Sequence, residues 1–148
     1  MERGKEFFSE EEKQQLVGAI QKAEQQTSGE VRIFVESRCK YVDALDRAKE
    51  IFFSLKMNET EQRNGTLVYV AIKDRQAAVF GDEGIHQKVG EPYWKDTVTK
   101  MLLLFRNQKL VDGICQGIHD LGQALKQYFP YNSETDKNEL PDDIVFGR

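Results

Sequence analysis

The 148-residue sequence predicts an α/β fold, a three-layer αβα sandwich around a central mixed β-sheet of about four strands flanked by helices. Three observations carry that expectation. Two apolar runs, "EVRIFVE" and "TLVYVAI", are separated by a helical segment, so a right-handed crossover makes them a parallel pair. A short polar turn, Lys73-Asp74-Arg75-Gln76, then leads into "AAVF", which adds an antiparallel neighbour. Helical periodicities before, within and after this unit supply cover for both sheet faces.

Each element follows in order. Ser9-Glu10-Glu11-Glu12 reads as a capping box, with Leu16, Val17, Ile20 and Ala23 on one face of the helix it starts. Thr27-Ser28-Gly29 stops that helix, with Gly29 expected in the left-handed conformation. Val31, Ile33 and Val35 alternate as a strand does. Asp43 or Asp46 can cap a second helix carrying Leu45, Ala48, Phe52 and Leu55. "TLVYVAI" is apolar throughout, as expected of a strand covered on both faces. Pro92 suits the first turn of a third helix with Trp94, Val98, Met101, Leu102 and Phe105 inward. A break near Asn107 precedes a fourth helix, with Val111, Ile114, Ile118, Leu121 and Leu125, ended by Pro130. Gly113, Gly117 and Gly122 open that helix to close backbone approach. Residues 1–130 thus form one domain, and 131–148 an acidic tail that can dock back through Leu140 and Ile144–Phe146 as an edge strand.

The composition is that of a globular chain, 39% hydrophobic and 31% charged, with a net charge of -4. No basic face stands out, which argues against nucleic acid and anionic membranes as partners and leaves a protein partner open. No apolar run approaches the ~20 residues of a transmembrane segment, and the charged start lacks a signal-peptide core. A cytoplasmic location is therefore expected. The oligomeric state is not readable. Cys39 and Cys115 have neither metal-ligand spacing nor a disulfide framework, and Cys115 falls on an apolar helical face.

The strand directions have a chemical consequence. The end of the third strand lies at the same rim as the starts of the first two. Gly81-Asp82-Glu83-Gly84 is thereby brought toward Ser28-Gly29-Glu30 and toward the 59–65 loop. Glu30, Glu59, Glu61, Asp82 and Glu83 would crowd that rim with Arg63 as the obvious local cation. Like charges at close range call for a counter-charge, and a hard cation with six to eight oxygen ligands would supply it. Asp82, Glu83, Glu30, Asn64 and Glu61 are the candidate ligands for such a divalent cation, calcium or magnesium. Asn64-Gly65 is also a strong turn pair, and Glu30 has Arg32 as an alternative partner.

The stretches "AEQQTSGEVRIFVE", "RNGTLVYVAIKDRQAAVFGDEGI" and "FRNQKLVDGICQGIHDLGQAL" resemble the TPM domain family, over about Phe8 to Phe129. That family includes thylakoid-lumen proteins linked to photosystem II repair and many membrane-anchored or stand-alone bacterial proteins. "DKNELPDDI" looks like the ending of stand-alone bacterial members. The resemblance implies an αβα sandwich and a bound divalent metal, calcium-like, at a pair of crossing loops. A plant lumenal member is described as an acid phosphatase, so the resemblance also implies phosphate-ester hydrolysis as a second reading.

Other chemistry finds no support. The tail acids Asp136, Asp142 and Asp143, with Asn138 and Glu139, lack the glycine and terminal glutamate of an EF-hand. His86 and His119 lie on different elements, which disfavours zinc with nitrogen ligands. Six residues after each cysteine stands a leucine, Leu45 or Leu121, where a phosphatase cysteine loop needs arginine. There is no Walker loop and no Gly-x-Ser-x-Gly elbow. A phosphatase here would depend on metal-activated water at the carboxylate rim.

Overall fold

The computed structural model describes residues 7–131 and 144–147. In chain order these form α1 (Glu10–Glu24), β1 (Glu30–Glu36), α2 (Ala44–Ser54), β2 (Gly65–Ala71), β3 (Gln76–Gly81), α3 (Glu83–Val89), α4 (Glu91–Arg106), α5 (Leu110–Tyr128) and β4 (Ile144–Phe146). The sheet order is β3-β2-β1-β4. β1 runs parallel to β2, with Glu30 opposite Gly65, and parallel to β4, with Ile33 opposite Ile144. β3 returns antiparallel to β2. The tail residues Asp136, Asn138, Glu139, Leu140, Asp142 and Asp143 lie outside the described residues.

Strand alternation divides the core into two. Val31, Ile33, Val35, Val68, Val70, Ala77 and Val79 face one side, where α1, α4 and α5 contribute Leu16, Ile20, Met101, Phe105, Ile118 and Leu121. Phe34, Leu67, Tyr69, Ala71 and Ala78 face the other, where α2 brings Ala48, Ile51 and Phe52. Three layers result, with one described helix on the second side. No helix among the described residues is long and apolar enough to cross a membrane.

Local chemistry sets the helix ends. Ser9 Oγ accepts from the Glu12 N–H at 3.1 Å, and Glu12 accepts from the Ser9 N–H at 2.9 Å. Of the two candidate caps for α2, Asp43 is used, its carboxylate accepting from the Leu45 N–H at 2.9 Å. Gly29 plays a different part from the expected one: Gly90 is the described glycine with positive φ. At Gly29 the absent side chain makes room for Leu125, whose Cδ2 would lie 2.6 Å from an added Cβ. The α4–α5 contact uses the same device, because a Cβ on Gly117 would meet Met101 Sδ at 2.7 Å.

Cys115 packs partly buried against the larger core. Burial, and then Asp112, push its thiol above the usual range. A raised pKa leaves less thiolate, so alkylation of Cys115 at mildly basic pH is expected to be slower in the folded chain than in urea. Iodoacetamide labelling read by mass spectrometry in a Cys39→Ser background checks this; equal rates in the two states would contradict it.

Candidate functional site

The 59–65 loop and the start of α3 cross at the rim where β1 and β2 begin and β3 ends. The crossing is held by backbone contacts. The Glu30 N–H faces Asn64 O at 3.4 Å, the Asp82 N–H donates to Gly65 O at 2.9 Å, and the Gly84 N–H donates to Arg63 O at 2.8 Å. Gly84 is required for this approach, because an added Cβ would lie 2.1 Å from Gln62 O and 2.6 Å from Arg63 O. Arg63 itself has a left-handed backbone, φ 51°, an uncommon conformation for a residue with a side chain.

The expected Gly81–Gly84 loop is in part a helix start. Asp82 is the N-cap of α3, its carboxylate accepting from the Glu83 N–H at 2.8 Å. Two acids at a helix N-terminus satisfy free amide donors and face the positive end of the helix dipole. The same Asp82 carboxylate takes both arms of Arg63, Nε at 2.7 Å and Nη2 at 2.9 Å. Arg63 Nη1 reaches Glu83 at 3.3 Å. The hydrogen bond to Asp82 is the first reason that the guanidinium is held above its ordinary pKa.

The candidate ligands separate by environment. Asp82, Asn64 and Glu30 are each 2% exposed. Glu61 is exposed on the loop, and Glu83 points largely to solvent. Among these, Asp82 and Glu83 are drawn together by Arg63, while Asn64 and Glu30 meet through their backbones. Asn64 Oδ1 is buried without a hydrogen-bond partner among the described residues. Among the described residues no three His, Cys, Asp or Glu side chains form a group able to hold a metal. Arg63 occupies the space between the acids.

Two features carried no sequence signal. A cavity of about 880 Å³ opens beside the crossing, along β3 and between α2 and α4. Asp82, Glu83, Arg63, Lys49, Lys95 and His86 border it. His86 Nδ1 accepts from Trp94 Nε1 at 3.0 Å, which fixes the indole beside Gly81. At the opposite rim, the Glu36 carboxylate is buried and takes Arg47 Nε and Nη2, each at 2.9 Å, together with the Tyr69 hydroxyl. Burial, then Glu36, push the Tyr69 hydroxyl far above its usual pKa. Glu36, Arg47 and Tyr69 are remote in sequence, so no spacing marks them.

The model of the TPM domain matches residues 2–124. The BA42 protein from the psychrophilic bacterium Bizionia argentinensis, solved by NMR, is 38% identical with a TM-score of 0.87, covering 99% of this chain and 100% of that one. The N-terminal domain of the cg2496 protein from Corynebacterium glutamicum shares the fold, with a TM-score of 0.61 over 81% of this chain and 75% of that one, at 11% identity. No curated protein matches the chain significantly. With a family match across most of its length, the chain belongs to the TPM domain family.

Proposed function

We propose that this chain is a divalent-cation-binding module whose site is the crossing of the 59–65 loop with the start of α3, serving a regulatory or interaction role. The observation that carries the reading is the buried Asn64 Oδ1, an oxygen acceptor without a partner among the described residues, on the loop whose Arg63 grips the buried Asp82 carboxylate. A buried polar atom left unsatisfied costs free energy that a ligand can recover. Asp82, Glu83 and Asn64 would hold the ion, with Glu30 and Glu61 completing an all-oxygen set. Such a flexible oxygen set favours calcium over magnesium, which demands a tighter octahedron. When bound, the ion supplies the positive charge that Arg63 now gives to Asp82. Arg63 must therefore release Asp82, and the Arg63–Glu83 contact goes with it. Both acids border the cavity, so its end would change shape with occupancy.

Calorimetric titration with calcium, magnesium and zinc tests this on the wild type and on Asp82→Ala/Glu83→Ala. The expected result is calcium binding that the double variant loses by at least about tenfold, with a melting temperature raised by calcium in the wild type alone. Unchanged binding in the variant would remove these residues as ligands.

A second reading, metal-dependent hydrolysis of phosphate monoesters, is favoured by the same cavity, where Lys49, Lys95 and His86 stand near the carboxylates. Lysine ammonium groups would hold the phosphate, and a carboxylate-held ion would activate water. Turnover of p-nitrophenyl phosphate at acidic pH, abolished by chelator and by the same double variant, is what this reading requires.

A further inference from the structure

We propose that the open edge of β3 is a docking strand for an extended segment of a partner protein with alternating acidic and apolar residues. β3 ends the sheet on that side, with no described strand beyond it. The Asp82 N–H donates to Gly65 O, which fixes the phase of the antiparallel ladder. Bonded pairs alternate in such a ladder. Gln76, Ala78 and Phe80 therefore turn their N–H and C=O toward β2, and Ala77, Val79 and Gly81 turn theirs outward. Ala78 to Gly81 border the cavity, so the outward groups open into a recess rather than onto a flat surface. An added strand completes such groups with main-chain hydrogen bonds and sends alternate side chains to the two walls.

The walls specify the partner. Phe53 of α2 is 51% exposed although it packs on Phe52 and Phe80, and Val98 lies on the α4 side. An aromatic left open beside an unpaired strand is the anchor expected of an interaction surface. The acids bordering the cavity are already engaged. Asp43 caps α2, Asp82 and Glu83 hold Arg63, and Glu91 pairs with Lys95 at 3.3 Å. Lys49 is exposed and makes no ion pair among the described residues. The cavity thus offers one uncommitted positive charge on the α2 wall, and a second, Lys95, held only by an exposed pair within its own helix. Alternate side chains of a docked strand share one wall, so its carboxylates meet Lys49 on α2 while its apolar residues meet Val98 on α4. The recess between α2 and α4 suits a single extended segment, since a second whole domain would bring its own helices against these walls.

The test uses the full chain in chelator, so that its outcome does not depend on the cation reading. Fluorescein-labelled Val-Glu-Val-Glu-Val is titrated and followed by anisotropy, beside Val-Lys-Val-Lys-Val and an acidic version N-methylated at alternate residues. The acidic peptide is expected to bind, the lysine peptide about tenfold more weakly or worse, and the N-methylated one not at all. Amide exchange should slow at Ala77, Val79 and Gly81 on binding, and the surface variant Lys49→Glu should weaken it about tenfold. Failure of the acidic peptide to bind, equal binding of both charges, or unchanged exchange at those amides would overturn the proposal. So would protection of the same amides in the peptide-free chain through a dimer seen by sedimentation, which would assign the edge to a second copy.

Discussion

Arg47→Met is expected to destabilise the fold by about 3–4 kcal/mol, because it leaves the buried Glu36 carboxylate without its cation. The Glu36 side chain is 4% exposed and that of Arg47 23%, so solvent does little to screen the pair. Methionine keeps most of the apolar stem and removes the guanidinium, whose carbon sits 5.8 Å from the Phe34 ring centroid. The loss is therefore mainly one of charge. Tyr69 would remain as a donor to Glu36, and one hydroxyl cannot replace two guanidinium arms. The double variant Glu36→Gln/Arg47→Met removes the stranded charge and keeps an acceptor for Tyr69. It should recover more than half of the loss. Urea unfolding of the three proteins gives the order wild type, double, single. A single variant within about 1 kcal/mol of wild type, or a double no better than the single, would show that water reaches Glu36.

The second large effect is expected at Gly84. An added methyl would press on two backbone oxygens, Gln62 O and Arg63 O, and neither can rotate away as a side chain end would. Gly84→Ala should cost about 3 kcal/mol, at the upper end of overpacking penalties, because the crossing must part to admit it. Parting the loops also breaks the Gly84 to Arg63 hydrogen bond and loosens Arg63 on Asp82. Gly18 provides the matched control. It lies exposed within α1, and nothing stands within 4 Å of where its Cβ would be. Gly18→Ala should therefore stabilise by about 0.5–1 kcal/mol through helix propensity. The same chemical change is expected to act with opposite sign at the two positions. Thermal unfolding of both variants checks the pair, and a neutral Gly84→Ala would mean that the crossing yields easily.

Much of this architecture was legible because its signals are local. Alternation in Val31, Ile33 and Val35, the Ser9–Glu12 box and the glycine face of α5 each lie within a few residues of their cause. Strand direction also followed, since a helix between two strands leaves few ways to connect them. α3 was missed for a reason of competing meaning. Asp82 and Glu83 are typical of a helix start, and Ile85, Val89 and Gly90 supply its inner face and its end. The same two acids also suit a metal ligand set, and the second meaning obscured the first. Arg63 was visible as the nearest cation, but its two-armed grip on Asp82 depends on a left-handed backbone that no neighbouring residue type announces. The Glu36–Arg47–Tyr69 cluster and the cavity along β3 arise from residues far apart in the chain, and single-sequence periodicity is blind to both.

The order β3-β2-β1-β4 bears on how the molecule is made. β1 obtains its outer neighbour from Ile144–Phe146, more than a hundred residues downstream, as the Ile33 to Ile144 pairing requires. During synthesis the parallel pair and its hairpin can assemble while that flank of β1 still stands bare. For that interval the nascent sheet exposes two sticky margins, and the ribosome's own pace decides how long a chaperone or a neighbouring polypeptide has to find them.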